Sequence, residues 1–190
     1  MHKVTITDIF RPVPSPMALI VSIDEHGKPN IMTVGEIFNV GLRKPAIIGT
    51  AIRKATYTHG LISKTGAFTV NFPTSAMLST ADLIGTISGR NGLDKFAEYG
   101  LTPVPSDAVA PPIIAQCPVN LECKLLSVTE VGDHDLFLGE VLAMHVDADK
   151  VADNEHLLVE KLDVPLFTNW EYYRFGEKLG RFGYTRSHDK

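Results

Sequence analysis

Short apolar runs separated by tight punctuation dominate the chain, and this pattern predicts strands more often than helices. Met17-Ala18-Leu19-Ile20-Val21-Ser22-Ile23 is apolar at nearly every position and reads as a strand. Pro12, Pro14 and Pro16 hold the segment before it extended. Asp24-Glu25-His26-Gly27 follows as a hairpin turn, with Gly27 free to take a positive φ. The partner strand runs over Pro29–Ile37. There Ile31, Thr33 and Gly35 alternate with Met32, Val34 and Glu36, and the regularity fails at Gly35. Another strand is predicted near Ala46–Ala51, after Lys44-Pro45. Residues 55–65 carry a helical pattern closed by Gly66. Ala67–Phe72, rich in β-branched and aromatic residues, is a strand, and Ser75–Ile87 forms one or two short helices. Leu93–Tyr99 is a helical turn ended by Gly100. The proline-rich stretch from Val104 to Pro118 reads as a long ordered loop. Asn120–Val131 and Asp135–Asp147 are two long strands joined by a tight hairpin at Gly132-Asp133-His134.

Hairpin spacing with helices tucked between some strands predicts a mainly β fold, a small antiparallel barrel with α insertions. The strand–helix alternation of a doubly wound sheet is missing. So are the motifs GxGxxG, GxxxxGK[ST], HExxH and GxSxG. The 190 residues suit one domain spanning 1–190. Its tail, from about 159 to 190, holds Phe167, Trp170, Tyr172, Tyr173, Phe175, Phe182 and Tyr184. Such a cluster is expected to dock on the core or on a partner subunit.

A hydrophobic content of 44% argues for a folded chain rather than a disordered one. The net charge of −4 argues against nucleic-acid binding. Met1–Thr5 lacks the pattern of a secretion signal. Met17–Ile23 is far short of the roughly 20 apolar residues that span a bilayer. We therefore expect a cytoplasmic protein that engages no membrane. Cys117 and Cys123, if on one extended strand, lie about 20 Å apart at roughly 3.3 Å per residue. A disulfide needs Cα atoms within about 7 Å, so both read as free, buried thiols. Without a CxxC, and with the histidines scattered, no metal site is expected.

Three stretches carry candidate chemistry. In GTAIRKATYTHGLI (49–62), Arg53 and Lys54 lie between a strand and a helix, with Thr56 and Thr58 just beyond. A helix N-terminus offers unpaired N–H groups and positive dipole. Arg53 adds a fork suited to phosphate, and the threonines add a cap or a hydroxyl. The turn reads either as a site for one phosphate or as a solvated, capped turn. In ISGRNGLDKFAEYGL (87–101), Ser88-Gly89 permits close backbone approach and Asp94-Lys95-Phe96 opens a helical turn; the stretch also reads as a Gly-rich loop with a capped turn in which Asp94 and Lys95 are solvated. In GKPNIMTVGEIFNVG (27–41), Asn30 and Thr33 place polar groups on a half-buried strand, which also suits an edge strand with one wet face.

These stretches occur in a fixed order with G-A-F-T-V-N-F-P (66–73), L-E-C-K (121–124), the G-D-H hairpin (132–134), L-G-E-V (138–141) and Y-Y-R-F-G (172–176). Together they resemble the flavin reductase-like family with the FMN-binding split-barrel fold, and most closely its flavoredoxin-type members. The resemblance covers about residues 10–185. It implies a homodimer that binds FMN, with the flavin ring near the subunit interface. By motif, Arg53, Lys54 and Thr58 would hold the phosphate. Asn30, Met32, Thr33 and Val34, with Ala51 beside them, would follow the ring edge. Ser88 and Gly89 would approach from the second loop, Lys95 would supply positive charge, and His134 would reach the flavin from the hairpin tip. The resemblance also implies a large aromatic soon after Thr33; Phe38 is the nearest. The implied reaction takes hydride from NAD(P)H to the flavin and passes electrons to an acceptor, so no catalytic residue is named. The alternative is an FMN electron carrier reduced by a redox protein partner, since no NAD(P)H motif is visible. A member that has lost its flavin and serves as a structural dimer is a third reading.

Overall fold

Every residue from Met17 to Val21 is buried, so the strand they build is covered on both faces. This strand is β2 (Ala18–Ile23), reached through the two-residue β1 (Ser15–Pro16). Ala18 and Ile20 join an inner core with Ile52, Phe68 and Phe137. Met17, Leu19 and Val21 join a second core with Ile84 and Phe96. A strand with no wet face has no polar positions to alternate, which explains its unbroken apolar sequence. The computed structural model describes residues 1–6 and 13–186; the expectation at Pro12 lies outside the described residues.

From β2 the chain turns through Asp24–Gly27 into β3 (Pro29–Val34). The Gly27 amide donates to the Asp24 carbonyl at 3.0 Å, and Gly27 takes φ +81°. The strand expected to reach Ile37 stops at Gly35-Glu36, and β4 (Ile37–Gly41) begins anew. β5 (Ile47–Arg53) pairs with β4, and α1 (Tyr57–Thr65) and β6 (Ala67–Phe72) follow. A 3₁₀ turn at Ser75–Met77 leads into α2 (Leu78–Thr86), and α3 is Lys95–Glu98. Short strands β7 (Pro103–Val104) and β8 (Ile113–Ile114) precede the long hairpin of β9 (Val119–Val131) and β10 (His134–Val146). The tail adds β11 (Leu166–Thr168) and β12 (Glu171–Tyr173).

The main sheet is antiparallel, in the order β3-β2-β6-β9-β10-β5-β4. Its two edges, β3 and β4, are consecutive strands separated by Gly35 and Glu36 alone. Three residue steps span at most about 11 Å, so the two edges must approach each other. The sheet therefore curls almost into a barrel and stays split between β3 and β4. The predicted fold class is the observed one.

The proline-rich loop is ordered by buried polar anchors. Asn71 accepts from the Ile114 amide (2.9 Å) and from Asn120 (2.8 Å), while its own amide reaches the Leu19 carbonyl (3.0 Å). Glu122, fully buried on β9, accepts from the amides of Asp107, Ala108 and Val109 and from His145 Nε2 at 2.6 Å. Burial alone would push this carboxyl up, but the Asp107 amide and the His145 ring outweigh it and hold it below its usual range. The tail hairpin docks on its own barrel by pairing β11 with β1. The later tail aromatics Phe175, Phe182 and Tyr184 are exposed. Cys117 and Cys123 are free and buried. No helix among the described residues is long and apolar enough to cross a membrane.

Candidate functional site

The cationic turn is built by the end of β5 and the start of α1. Thr56 is the N-cap: its hydroxyl accepts from the His59 amide at 3.3 Å and donates to the Arg53 carbonyl at 2.9 Å. Gly66 closes α1 in the left-handed conformation, as expected. Capping by Thr56 leaves the hydroxyl of Thr58, the second residue of α1, for another task. Thr58 is buried and accepts from the Asn30 side-chain amide at 2.8 Å, so its own proton remains to donate.

A ladder across the sheet holds this turn in place. Arg53 stands opposite His134 and Ile52 opposite Asp135 in the β5–β10 pairing. Asp135 accepts from His59 Nε2 at 2.8 Å and lies 3.5 Å from Lys54 Nζ, which also pairs with Glu130. The His59 hydrogen bond is the main reason the Asp135 carboxyl sits below its ordinary range. From the second loop, Arg90 donates to the Ala55 carbonyl at 3.2 Å, and Lys28 latches the first hairpin to the Gly92 carbonyl at 2.7 Å.

Beside the turn runs β3, an edge of the sheet. Lys95 Nζ donates to the Ile31 carbonyl at 2.8 Å and to the Ile84 carbonyl at 2.9 Å. Backbone groups of successive strand residues face opposite sides. Ile31 therefore turns its carbonyl away from β2, and Thr33 shares that outer side. Lys95 is buried, and burial pushes its ammonium down to about 8. Two of its three donors are used, and one is left for a ligand. Asn30 Oδ1 is buried without a hydrogen-bond partner and lies where a side chain on Gly89 would stand. Only glycine fits at position 89 while Asn30 keeps its place.

Two adjoining clefts result. One, of about 320 Å³, is lined by β3, the 53–58 turn, the end of α2, Ser88, Gly89 and Lys95. The other, of about 480 Å³, continues past Met32–Val34 and Ala51 to His134, Asp82 and the tail hairpin. Both volumes are typical of small-molecule sites. Every residue expected at the site except Lys54 lines one or both clefts. Lys54 faces Glu130 and Asp135 instead. Phe38 lines a separate apolar cleft with Val13, Pro14 and Phe72, so it does not wall this one. The aromatics that do are Phe167, Trp170 and Tyr172. Sequence reasoning also passed over Asp82, Gly85 and Thr86 of α2; only the Gly-Thr pair at a helix end hinted at them. Elsewhere, Asp107, Glu122 and His145 bring potential ligand atoms within 4.8 Å of one another. The oxygens of Glu122 are already engaged by backbone amides and His145, so the trio serves as a loop anchor.

Comparison with known proteins points in one direction. The family model described as "Flavin reductase like domain" matches residues 10–168. A structure of flavoredoxin from Desulfovibrio vulgaris (Miyazaki F) aligns with a TM-score of 0.90 at 34% identity, covering 97% of this chain and all of that one. An uncharacterized protein of Archaeoglobus fulgidus is 41% identical over 133 residues, 70% of this chain and 73% of its own length. An NADH:riboflavin 5′-phosphate oxidoreductase of Streptomyces pristinaespiralis is 26% identical over 135 residues, 70% of this chain and 71% of its own.

Proposed function

The chain belongs to the flavin reductase-like domain family, and from that premise we propose that it binds FMN and is an NAD(P)H-dependent flavin reductase. The observation that carries the reading is the adjacency of the two clefts. One gathers anion-binding groups, and the other is a longer slot along a strand edge. Arg53, Thr58, Ser88 and Lys95, with the first N–H groups of α1, suit a phosphate and its ribityl chain. The unpartnered Asn30 Oδ1 suits a hydroxyl or N–H donor from the same ligand. Met32, Thr33, Val34, Ala51, Gly89 and His134 suit the edges of a planar ring. We leave Lys54 to steady the turn through Glu130 and Asp135. The relative that acts on riboflavin 5′-phosphate supports FMN as the flavin and NADH as a donor.

A bound flavin supplies hydride acceptance and electron transfer. The chain supplies binding and field. Donors and cations beside the ring favour its reduced, more negative form, and no acid, base or nucleophile is required of the side chains. We further propose one domain over 1–190 acting as a homodimer. Exposed apolar residues on β9 and β10, among them Val128, Val131, Leu142 and Met144, support a second copy there. Two free cysteines support a reducing compartment such as the cytoplasm.

The likeness to flavoredoxin supports the second reading, an electron carrier reduced by a protein partner. Visible spectra of the purified protein, before and after anaerobic NADH or NADPH, separate the two. Visible flavin bands that bleach with a nucleotide alone are the expected result. Bands that persist with both nucleotides favour the carrier. No flavin uptake at all contradicts both readings.

A further inference from the structure

The tail hairpin carries a tryptophan where turn chemistry asks for glycine. Thr168 pairs with Glu171, so the turn between β11 and β12 is the dipeptide Asn169-Trp170, with φ +50° and +63°. A two-residue turn with both central residues at positive φ is the type I′ hairpin, whose favoured sequence is Asn-Gly. Asn169 suits its place. Trp170 does not, because a bulky side chain in the left-handed region is a strained outlier.

The hairpin is fixed over the larger cleft from three sides. The Phe167 ring occupies the space a side chain on Gly35 would need, at the exit of β3. The Tyr172 hydroxyl donates to Asp82 on α2 at 2.5 Å. β11 itself pairs with β1. Phe167 stands edge-on to Trp170 at 6.2 Å and tilted against Tyr172 at 5.2 Å. Trp170 thus lines the same slot as Met32–Val34, and the residue as a whole stays 63% exposed. Much of the residue's surface is left in solvent, yet the backbone adopts an unfavourable φ to hold it there.

We propose that Trp170 is the stacking wall of this cleft, meeting the flat face of the flavin's isoalloxazine ring; the proposal rests on the flavin reading above. The strained turn is kept because it aims the indole across the slot.

The test uses the full-length protein freed of flavin, with Trp170→Gly and Trp170→Phe. Dissociation constants are measured for FMN and for riboflavin, and thermal melts are run without ligand. Trp170→Gly should weaken both ligands by the same factor, on the order of 10-fold, because both carry the ring. Its melting temperature should be unchanged or higher, because glycine accepts φ > 0 without strain. Trp170→Phe keeps a stacking face and should stay within about threefold of wild type. Unchanged affinities in Trp170→Gly overturn the proposal. So does a loss confined to FMN. If wild type binds neither flavin, the underlying reading fails as well; if wild type binds both and Trp170→Gly binds them equally, only the stacking role fails.

Discussion

Replacing Lys95 by Met sets two sizeable effects against each other, and pH separates them. The ammonium serves the carbonyls of Ile31 and Ile84 at 2.8 and 2.9 Å. Stripping buried carbonyls of their donor costs about 1–3 kcal/mol each. Against this, methionine removes a buried charge. A fall in pKa from 10.5 to about 8 corresponds to about 3 kcal/mol, which screening at the cleft mouth reduces to on the order of 2 kcal/mol. At pH 7 the variant should therefore be less stable by on the order of 2 kcal/mol. The pH dependence is sharper. Unfolded Lys95 keeps its proton up to its ordinary 10.5, whereas the folded group releases it above about 8. Between those values the unfolded state binds more protons, so wild-type stability rises with pH, and Met does not titrate. The advantage of wild type over Lys95→Met should grow by about 2 kcal/mol across this window. Urea unfolding of both flavin-free proteins at several pH values reads the difference directly. Cys117, Cys123 and Tyr172, each pushed up to about 12 by burial first, titrate in both proteins and cancel. Parallel curves across the window would refute the assignment of a buried, easily deprotonated Lys95.

Two further substitutions probe the frame around the proposed anion site. Gly89→Ala puts a methyl where Asn30 Oδ1 stands and should break the Asn30–Thr58 hydrogen bond; flavin affinity should fall on the order of 10-fold, and titration with FMN checks it. Asp135→Asn loosens the turn held through His59, and should lower the melting temperature at neutral pH. Because the folded carboxyl titrates below 3.8, this stabilisation is present above that value and lost as pH falls through the folded pKa. The wild type and variant should then converge in acid; a constant gap would show that the carboxylate charge is not what matters.

Much of this arrangement was legible in the chain because its signals are local. Gly66, Gly100 and Gly132 mark ends and turns by backbone chemistry that acts within a few residues. The break at Gly35 was visible, and it is the point at which the sheet passes from one edge to the other. The positive turn could be read from its neighbours alone as either a phosphate site or a capped turn, and the Thr56 cap is there. What stayed hidden depends on distant partners. Lys54 was expected to help hold a phosphate, but Glu130, 76 positions away, pairs with it. Lys95 looked like a solvated charge, but two carbonyls from β3 and α2 enclose it. Phe38 was the nearest aromatic in sequence, yet the wall comes from Phe167, Trp170 and Tyr172, brought across by pairing with Ser15 and Pro16. Glu122 gave no sign that it would hold the proline-rich loop, since its three amide donors lie 13–15 residues earlier.

The most direct test of the central claim compares FMN with riboflavin on wild type and on Arg53→Ala. The two ligands differ only in the phosphate. If the 53–58 turn is the phosphate site, Arg53→Ala should weaken FMN by about 1.5–3 kcal/mol, or roughly 10- to 150-fold, and leave riboflavin nearly unchanged. Equal weakening of both ligands, or none, would contradict the account.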